Sequence, residues 1–286
     1  AEAGTDYKVI AYEGGPSGYW TNNDNPEIDE LYGKSVAMGV AALDAWLYSS
    51  LHGYTYQEYL GFAAGRWWSS HTPPEAGGYR AHPGWLALKM RNRYAPGATM
   101  LETIHNSQPT LESDGNDVPL VSSYAIKGDT AYSVFVLSRK LDGTHDGVAF
   151  GDGYTPVTLH LPFSQVSSIT RYRLEAPDGS PVDPRLNNRS DLQVVIGARA
   201  IDPSLFSPEF AIDETTGGEA GGLPPGSINL FVFELAAPGL WDAVKALKIS
   251  AGLPADLQGS VLTDINQDGR IGVEEAVHIL RTLGTD

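Results

Sequence analysis

The spacing of apolar residues changes period twice along this chain, and that change limits its fold more than any single motif does. Between Ser35 and Leu51, the residues Val36, Val40, Leu43, Leu47 and Leu51 recur at three- or four-residue intervals, the spacing of one helix face. PGWLALKMRNRY predicts a further helix, with Pro83 at its start and Pro96-Gly97 beyond its end. Each helix follows a strand-like run. Val9, Ile10 and Ala11 stop at the Gly14-Gly15-Pro16 turn, and YLGFAAGRWWSS ends at Trp67 and Trp68. The order β-α-β-α is the unit of a parallel sheet.

From about 98 to 236 the period becomes two. TAYSVFVL places Tyr132, Val134 and Val136 on one side, and PVTLHL places Val157, Leu159 and Leu161 on one side with Thr158 and His160 on the other. SITRYRLEAP, DLQVVIGARA and SINLFVFEL continue the series between Gly, Pro, Asp and Asn clusters, which predicts an antiparallel β-sandwich. DETTGGEAGGLPPG (213–226) reads as a flexible, linker-like insertion by composition. After the hinge Ala236-Ala237-Pro238-Gly239 the chain turns helical again, with LWDAVKALKISAG and VEEAVHILRTLG. The second of these carries Val273, Val277, Leu280 and Leu283 as its apolar stripe. The chain therefore reads as a multidomain α+β protein: a β-α-β-α unit over 1–97, a β-sandwich over 98–236 and a helical module over 237–286.

Charge and composition remove several classes of function. With 35 acidic against 19 basic residues and a formal charge of −16, the chain is a poor match to a phosphate backbone, so nucleic acid is excluded as a partner. Cysteine is absent, which rules out disulfides, thiolate metal sites and a thiol nucleophile. No apolar run approaches the roughly 18 residues of a membrane span. Asn188-Arg189-Ser190 matches the pattern of an N-glycosylation acceptor.

The most specific motif is DINQDGRIGVEE, residues 264–275. As a twelve-residue calcium loop it puts Asp264, Asn266 and Asp268 at positions 1, 3 and 5, and Gly269 at the sharp turn of position 6. Arg270 offers its backbone carbonyl, Gly272 leaves room for a water, and Glu275 supplies the closing carboxylate. Hard cations need this density of oxygen ligands, so Ca2+ is the expected metal. The loop resembles a dockerin repeat, and the tail resembles the dockerin-like, EF-hand-type modules of secreted bacterial proteins. That resemblance implies an extracellular, bacterial setting and a cohesin-like partner. Dockerins use two such loops in their binding face, and one full loop is present here.

The first strand delivers a carboxylate, Glu13, into a Gly-rich turn flanked by Tyr12, Tyr19 and Trp20. Barrel enzymes place catalytic groups at the C-terminal ends of parallel strands. VIAYEGGPSGY resembles the seventh strand and following loop of a clan A glycoside hydrolase, where the nucleophilic Glu sits. On that resemblance, the helix over 35–51 is the seventh, GFAAGRWW the eighth strand and HPGWLALKMRNRY the eighth helix. The sandwich is then the accessory β domain that follows such barrels. The resemblance covers about residues 7–236. It implies a partial (β/α) TIM-barrel remnant, Glu13 as nucleophile, and Tyr12, Tyr19, Trp67 and Trp68 as residues that meet a polysaccharide or oligosaccharide.

The residues alone allow blander roles. Glu13 also suits pairing with an Arg or capping a turn, and Trp67 and Trp68 suit a core, with at most one facing a sugar because adjacent strand positions point opposite ways. His71 and His82 read as structural, and NNDNPEIDE as a solvated loop. Retaining hydrolysis requires a second carboxyl group about 5 to 5.5 Å from the first. In clan A enzymes it comes from the fourth strand, and only two barrel strands occur here. Two strands do not close an eight-stranded barrel, and their edges invite pairing with a missing N-terminal half or with other copies of the chain. Two readings follow: the C-terminal part of a secreted glycoside hydrolase, inactive without its other half, or a non-catalytic extracellular assembly protein with a calcium module.

Overall fold

The computed structural model of the chain describes residues 9–14, 32–59, 69–72, 78–113, 115–141, 144–145, 148–149, 153–255, 262, 264–266 and 268–284. Strand β1 (Val9–Gly14) is followed by helix α1 (Val36–Leu51) and strand β2 (Tyr54–Tyr59), and β1 and β2 pair in parallel. Ser35 starts α1: its extended backbone and a hydroxyl that accepts from the Met38 N–H at 3.2 Å satisfy one of the free N-terminal donors. Gly53, at φ +89°, takes the left-handed turn that sends the chain from α1 into β2. The partner strand thus begins directly after that turn, in the aromatic stretch YTYQEY, ahead of the segment that periodicity selects. The rest of that expectation, 60–68, lies outside the described residues.

Helix α2 (Pro83–Tyr94) begins at a proline, whose fixed φ and missing N–H suit the first helical position. It crosses α1 closely: a Cβ on Gly39 would meet the Pro83 backbone at 3.0 Å. Twelve further strands follow or flank the chain up to the hinge. They are β3 (Thr99–Leu101), β4 (Thr110–Ser113), β5 (Asn116–Pro119), β6 (Val121–Lys127), β7 (Ala131–Ser138), β8 (Thr144–His145), β9 (Val148–Ala149), β10 (Val157–His160), β11 (Val166–Glu175), β12 (Val195–Ile201), β13 (Glu209–Ile212) and β14 (Ile228–Leu235). Six of them form one antiparallel sheet in the order β12-β11-β14-β7-β6-β3, while β10 and β13 pair separately.

Both faces of the sheet's central strands are buried. On one face, Tyr124, Phe135, Leu137 and Leu230 pack with Val36, Val40, Leu43 and Leu47 of α1 and with Leu86, Ala87 and Met90 of α2. On the other, Val134, Val136, Phe231 and Phe233 pack with Leu159 of β10 and Phe210 and Ile212 of β13. The central strands therefore carry apolar side chains on both sides, and the alternation seen in TAYSVFVL distinguishes two buried faces, not a buried face from a wet one. The two helices and the sandwich share one core across the 97/98 position.

The segment 213–226 is part of that sandwich and not a linker. Leu223 is fully buried and exchanges backbone hydrogen bonds with Thr155, each at 2.9 Å. The Asp213 carboxylate accepts from the backbone and hydroxyl of Thr215, which fixes the turn. Composition missed this because polar turn chemistry and a packed loop draw on the same residues. Asn188 is also interior. Its amide donates to the carbonyls of Ala81 and Val194, both at 2.8 Å, and its oxygen accepts from the N–H groups of Gln193 and Val194. Folding thus closes the glycosylation pattern.

The tail packs helix α3 (Leu240–Ser250) against helix α4 (Val273–Leu283). Ala243, Ala246, Ala276 and Ile279 fill the seam. The stripe expected to be buried, Val273, Val277, Leu280 and Leu283, is 39 to 47% exposed. Two short helices bury only one narrow seam, and small side chains let them approach there; the bulkier stripe lies beside it.

Inside the sheet, Arg171 and Arg173 both donate to one oxygen of Glu175, at 2.7 and 3.2 Å, and Arg173 also reaches Glu219 at 2.7 Å. Gly197 makes this possible, because a Cβ there would overlap the Glu175 carboxylate. Displacing that carboxylate takes the ion pair from buried Arg171 and leaves buried Arg173 with Glu219 alone as its carboxylate partner. Gly197→Ala should therefore lower the unfolding free energy by about 3 kcal/mol, the low end of the range for breaking a buried pair. Urea denaturation measures it, and a loss under about 0.5 kcal/mol would show that Glu175 repacks freely.

Candidate functional site

Three places carry the chemistry that the sequence singles out. The first is the end of β1. Glu13 is the fifth of its six residues, with Tyr12 before it and Gly14 after it. The parallel ladder runs Ile10 to Tyr56 and Ala11 to Gln57, then shifts register before Gly14 meets Tyr59. One register shift falls between Val9 and Ile10, and the other spans Tyr12 and Glu13, where the candidate nucleophile sits. Such bulges re-aim side chains and are frequent beside active sites. Tyr19, Trp67 and Trp68 lie outside the described residues.

The second is the approach to α2. His71 forms an isolated bridge with Ala81, its Nδ1 lies 2.8 Å from the Ser70 hydroxyl, and its ring packs 5.3 Å from that of Trp85. His82 precedes Pro83, is almost fully buried, and neither ring nitrogen has a hydrogen-bond partner. Burial, reinforced by the positive charges of Lys34, His71, Arg189 and Arg80, pushes His82 down to about 3. A neutral imidazole enclosed in this way supports packing, in line with the structural role read from sequence.

The third is the loop between α3 and α4. Asp264 accepts from the Asp268 N–H at 3.2 Å and from the Gly269 N–H at 2.7 Å, drawing the loop around its first carboxylate. Asn266 accepts from the Asp268 N–H at 3.2 Å, and Asp268 from the Arg270 N–H at 2.9 Å. Gly269 has φ +79°, the turn that position 6 requires. Glu275 caps α4 by accepting from the Gly272 N–H at 2.6 Å with one oxygen; its other oxygen is buried without a partner. A buried carboxylate oxygen left unbonded is expensive and suits a cation. The residues fit a hard cation in these respects. Among the described residues, however, no three His, Asp or Glu side chains already converge as a cage.

One polar network escaped the sequence reading. Asp44, on α1, accepts from Ser122 at 2.6 Å and from the Tyr124 hydroxyl at 2.8 Å, and forms an ion pair with Arg139. Burial and the adjacent Asp44 push the Tyr124 phenol up. The signal was present as a lone charge in the apolar helical run AALDAWL.

No family model and no curated relative matches this chain. Among solved structures it is similar to the GH51 arabinofuranosidase from Xanthomonas axonopodis pv. citri, with 12% identity, a TM-score of 0.48, and coverage of 70% of this chain and 35% of that one. It is also similar to the glycoside hydrolase family 30 subfamily 8 xylanase Xyn30A from Clostridium acetobutylicum, at 11% identity and TM-score 0.40, covering 79% of this chain and 42% of that one. A GH30 endoxylanase from Clostridium papyrosolvens C71 matches at 14% identity and TM-score 0.40, over 70% and 39% of the two chains. These neighbours are glycoside hydrolases, and the chain spans between 35 and 42% of their lengths.

The burial of His82 has a measurable consequence. Between its ordinary value of 6.5 and its folded value of about 3, the unfolded chain takes up a proton that the folded chain refuses. The neutral imidazole's contribution is therefore whole above 6.5 and declines as pH falls toward 3. Its limiting slope is about 1.4 kcal/mol per pH unit. His82→Phe should remove that dependence, so the wild-type stability minus that of the variant should shrink as pH falls from 6.5 toward 5, ahead of most carboxylate titration. Parallel pH profiles for the two proteins would rule out the effect.

Proposed function

We propose that this chain is the C-terminal part of a secreted carbohydrate-active enzyme, a retaining glycoside hydrolase with Glu13 as nucleophile, followed by a calcium-binding module. The observation that carries the reading is the parallel pairing of β1 with β2 around α1, with Glu13 at the C-terminal end of β1 and the ladder irregular there. In this reading the Glu13 carboxylate attacks the anomeric carbon as the glycosidic C–O bond breaks. A carboxylic acid on another part of the barrel protonates the departing oxygen. That group, now a carboxylate, then takes a proton from the water that cleaves the glycosyl ester and frees Glu13. Tyr12, Tyr19, Trp67 and Trp68 supply the aromatic surface for sugar.

In the tail, Asp264, Asn266, Asp268, the Arg270 carbonyl, a water at Gly272 and Glu275 would hold Ca2+, which would bring the loop's oxygens to one centre. The unpartnered Glu275 oxygen supports this assignment. The exposed apolar residues of α4, with Trp241 of α3 75% exposed, would give a cohesin-like partner a surface to meet.

A second reading is an extracellular assembly protein without turnover. It is favoured by the pairing of β1 with β2 alone among the described strands, since sheet edges are where other copies of the chain would add strands. Native mass spectrometry separates the readings: a second chain supplying further barrel strands fits the hydrolase, and a homo-oligomer without hydrolysis fits the assembly unit.

Glu13→Gln in the complete enzyme should lower glycoside turnover by about 10³-fold or more while the unfolding midpoint holds. Unchanged turnover would remove Glu13 from the chemistry. For the tail, titration with millimolar calcium should release heat and stabilise α3 and α4, and Glu275→Gln should weaken binding by about tenfold or more. Absence of both heat and stabilisation would remove the metal.

A further inference from the structure

A cleft of about 470 Å³ opens where α1 crosses the end of β7, a size within the usual range for small-ligand sites. Three small residues of α1, at positions 37, 41 and 45, form part of its wall at one-turn intervals. Tyr32 and Tyr48 also line it, and both are large aromatics left more than half exposed, at 54 and 57%. The Asp44–Arg139 pair lies on the wall as well. Ser138 completes it, with a buried hydroxyl that has no hydrogen-bond partner.

The polar groups set the chemistry of the occupant. A carboxylate offers about four lone-pair positions, and Asp44 uses three of them, on Ser122, Tyr124 and Arg139. Arg139 spends one donor on Asp44 and one on the Pro119 carbonyl, which leaves guanidinium N–H groups for a ligand. The site thus offers donors and an acceptor side by side, with the two charges offsetting each other. An anion would meet Asp44 and a cation would meet Arg139, so neither is favoured. A neutral ligand rich in hydroxyls and with apolar C–H faces matches both the pair and the tyrosines.

We propose that this cleft, built on α1 and the end of β7, binds a neutral saccharide, a short run of a polysaccharide chain. The inference goes beyond the hydrolase reading and stands even if Glu13 performs no chemistry. The tyrosine rings take the sugar faces, and Arg139, Asp44 and Ser138 take its hydroxyls.

The test is a titration of the full chain with cellohexaose, xylohexaose and mannohexaose, followed by NMR and calorimetry. At least one of them should bind saturably, with amide shifts centred on Ala41 and Ala45. Tyr32→Ala and Tyr48→Ala should each weaken that binding by about three- to tenfold, and Tyr48→Phe should restore most of it. Both tyrosines are exposed, so the variants should unfold at the wild-type midpoint, which separates lost binding from lost fold. No binding by any of the three at millimolar concentration overturns the proposal. So does binding that survives in the Tyr32→Ala/Tyr48→Ala double variant, or shifts centred away from α1.

Discussion

The structure depends on a sheet whose two central strands have no wet face. Strands β7 and β14 lie at its centre, and their side chains enter two cores, one roofed by α1 and α2 and the other closed by β10 and β13. A sheet in that position keeps its shape only if both coverings are present. The helices that belong to the parallel β1–β2 unit by chain order are therefore, by packing, a layer of the sandwich. The polar groups reinforce the seam. Asp44 of α1 binds Ser122 and Tyr124 of β6 and Arg139 just beyond β7, and the Val36 N–H donates to the Leu186 carbonyl at 2.9 Å.

Much of this was legible in the sequence because local spacing and final packing agree. The helices start where Ser35 and Pro83 place them, and β7, β10, β11, β12 and β14 each overlap a run chosen by alternation to within two residues at the ends that extend past it. What stayed hidden was non-local. Period two separates the faces of a strand but does not say what covers each face, so the two-sided burial of β7 could not be read from TAYSVFVL. The stripe on α4 shows the same limit. Its spacing is helical, yet the partner helix meets the Ala276–Ile279 side. Asp213, Thr216 and Gly217 look like linker residues until the turn they form is seen packed beside Arg171 and Ile201.

The candidate sites divide along the same line. The proposed calcium loop is written in consecutive residues, so the hydrogen bonds of Asp264 and Glu275 are local in sequence. A barrel site is assembled from the ends of separate strands, and on the proposed reading Glu13 would be one contributor to it. Its strand was readable, whereas the register shift beside it and the carboxyl group it would work with depend on other strands. Asp44 was missed for a related reason: its partners are 78 to 95 residues away in sequence.

The shared core also decides where the chain can be divided. A cut at 97/98, between the β-α-β-α unit and the sandwich, would uncover Leu43, Leu47, Leu86 and Met90 on one piece and Phe135, Leu137 and Leu230 on the other. Both pieces would carry adhesive oily surfaces and would tend to precipitate or to find each other again. The Pro238-Gly239 hinge carries no such penalty in that core, because none of its members comes from α3 or α4. Gene fusions and domain transplants that respect the packing would move α1, α2 and the sandwich as one cassette and treat the two-helix tail as the exchangeable part.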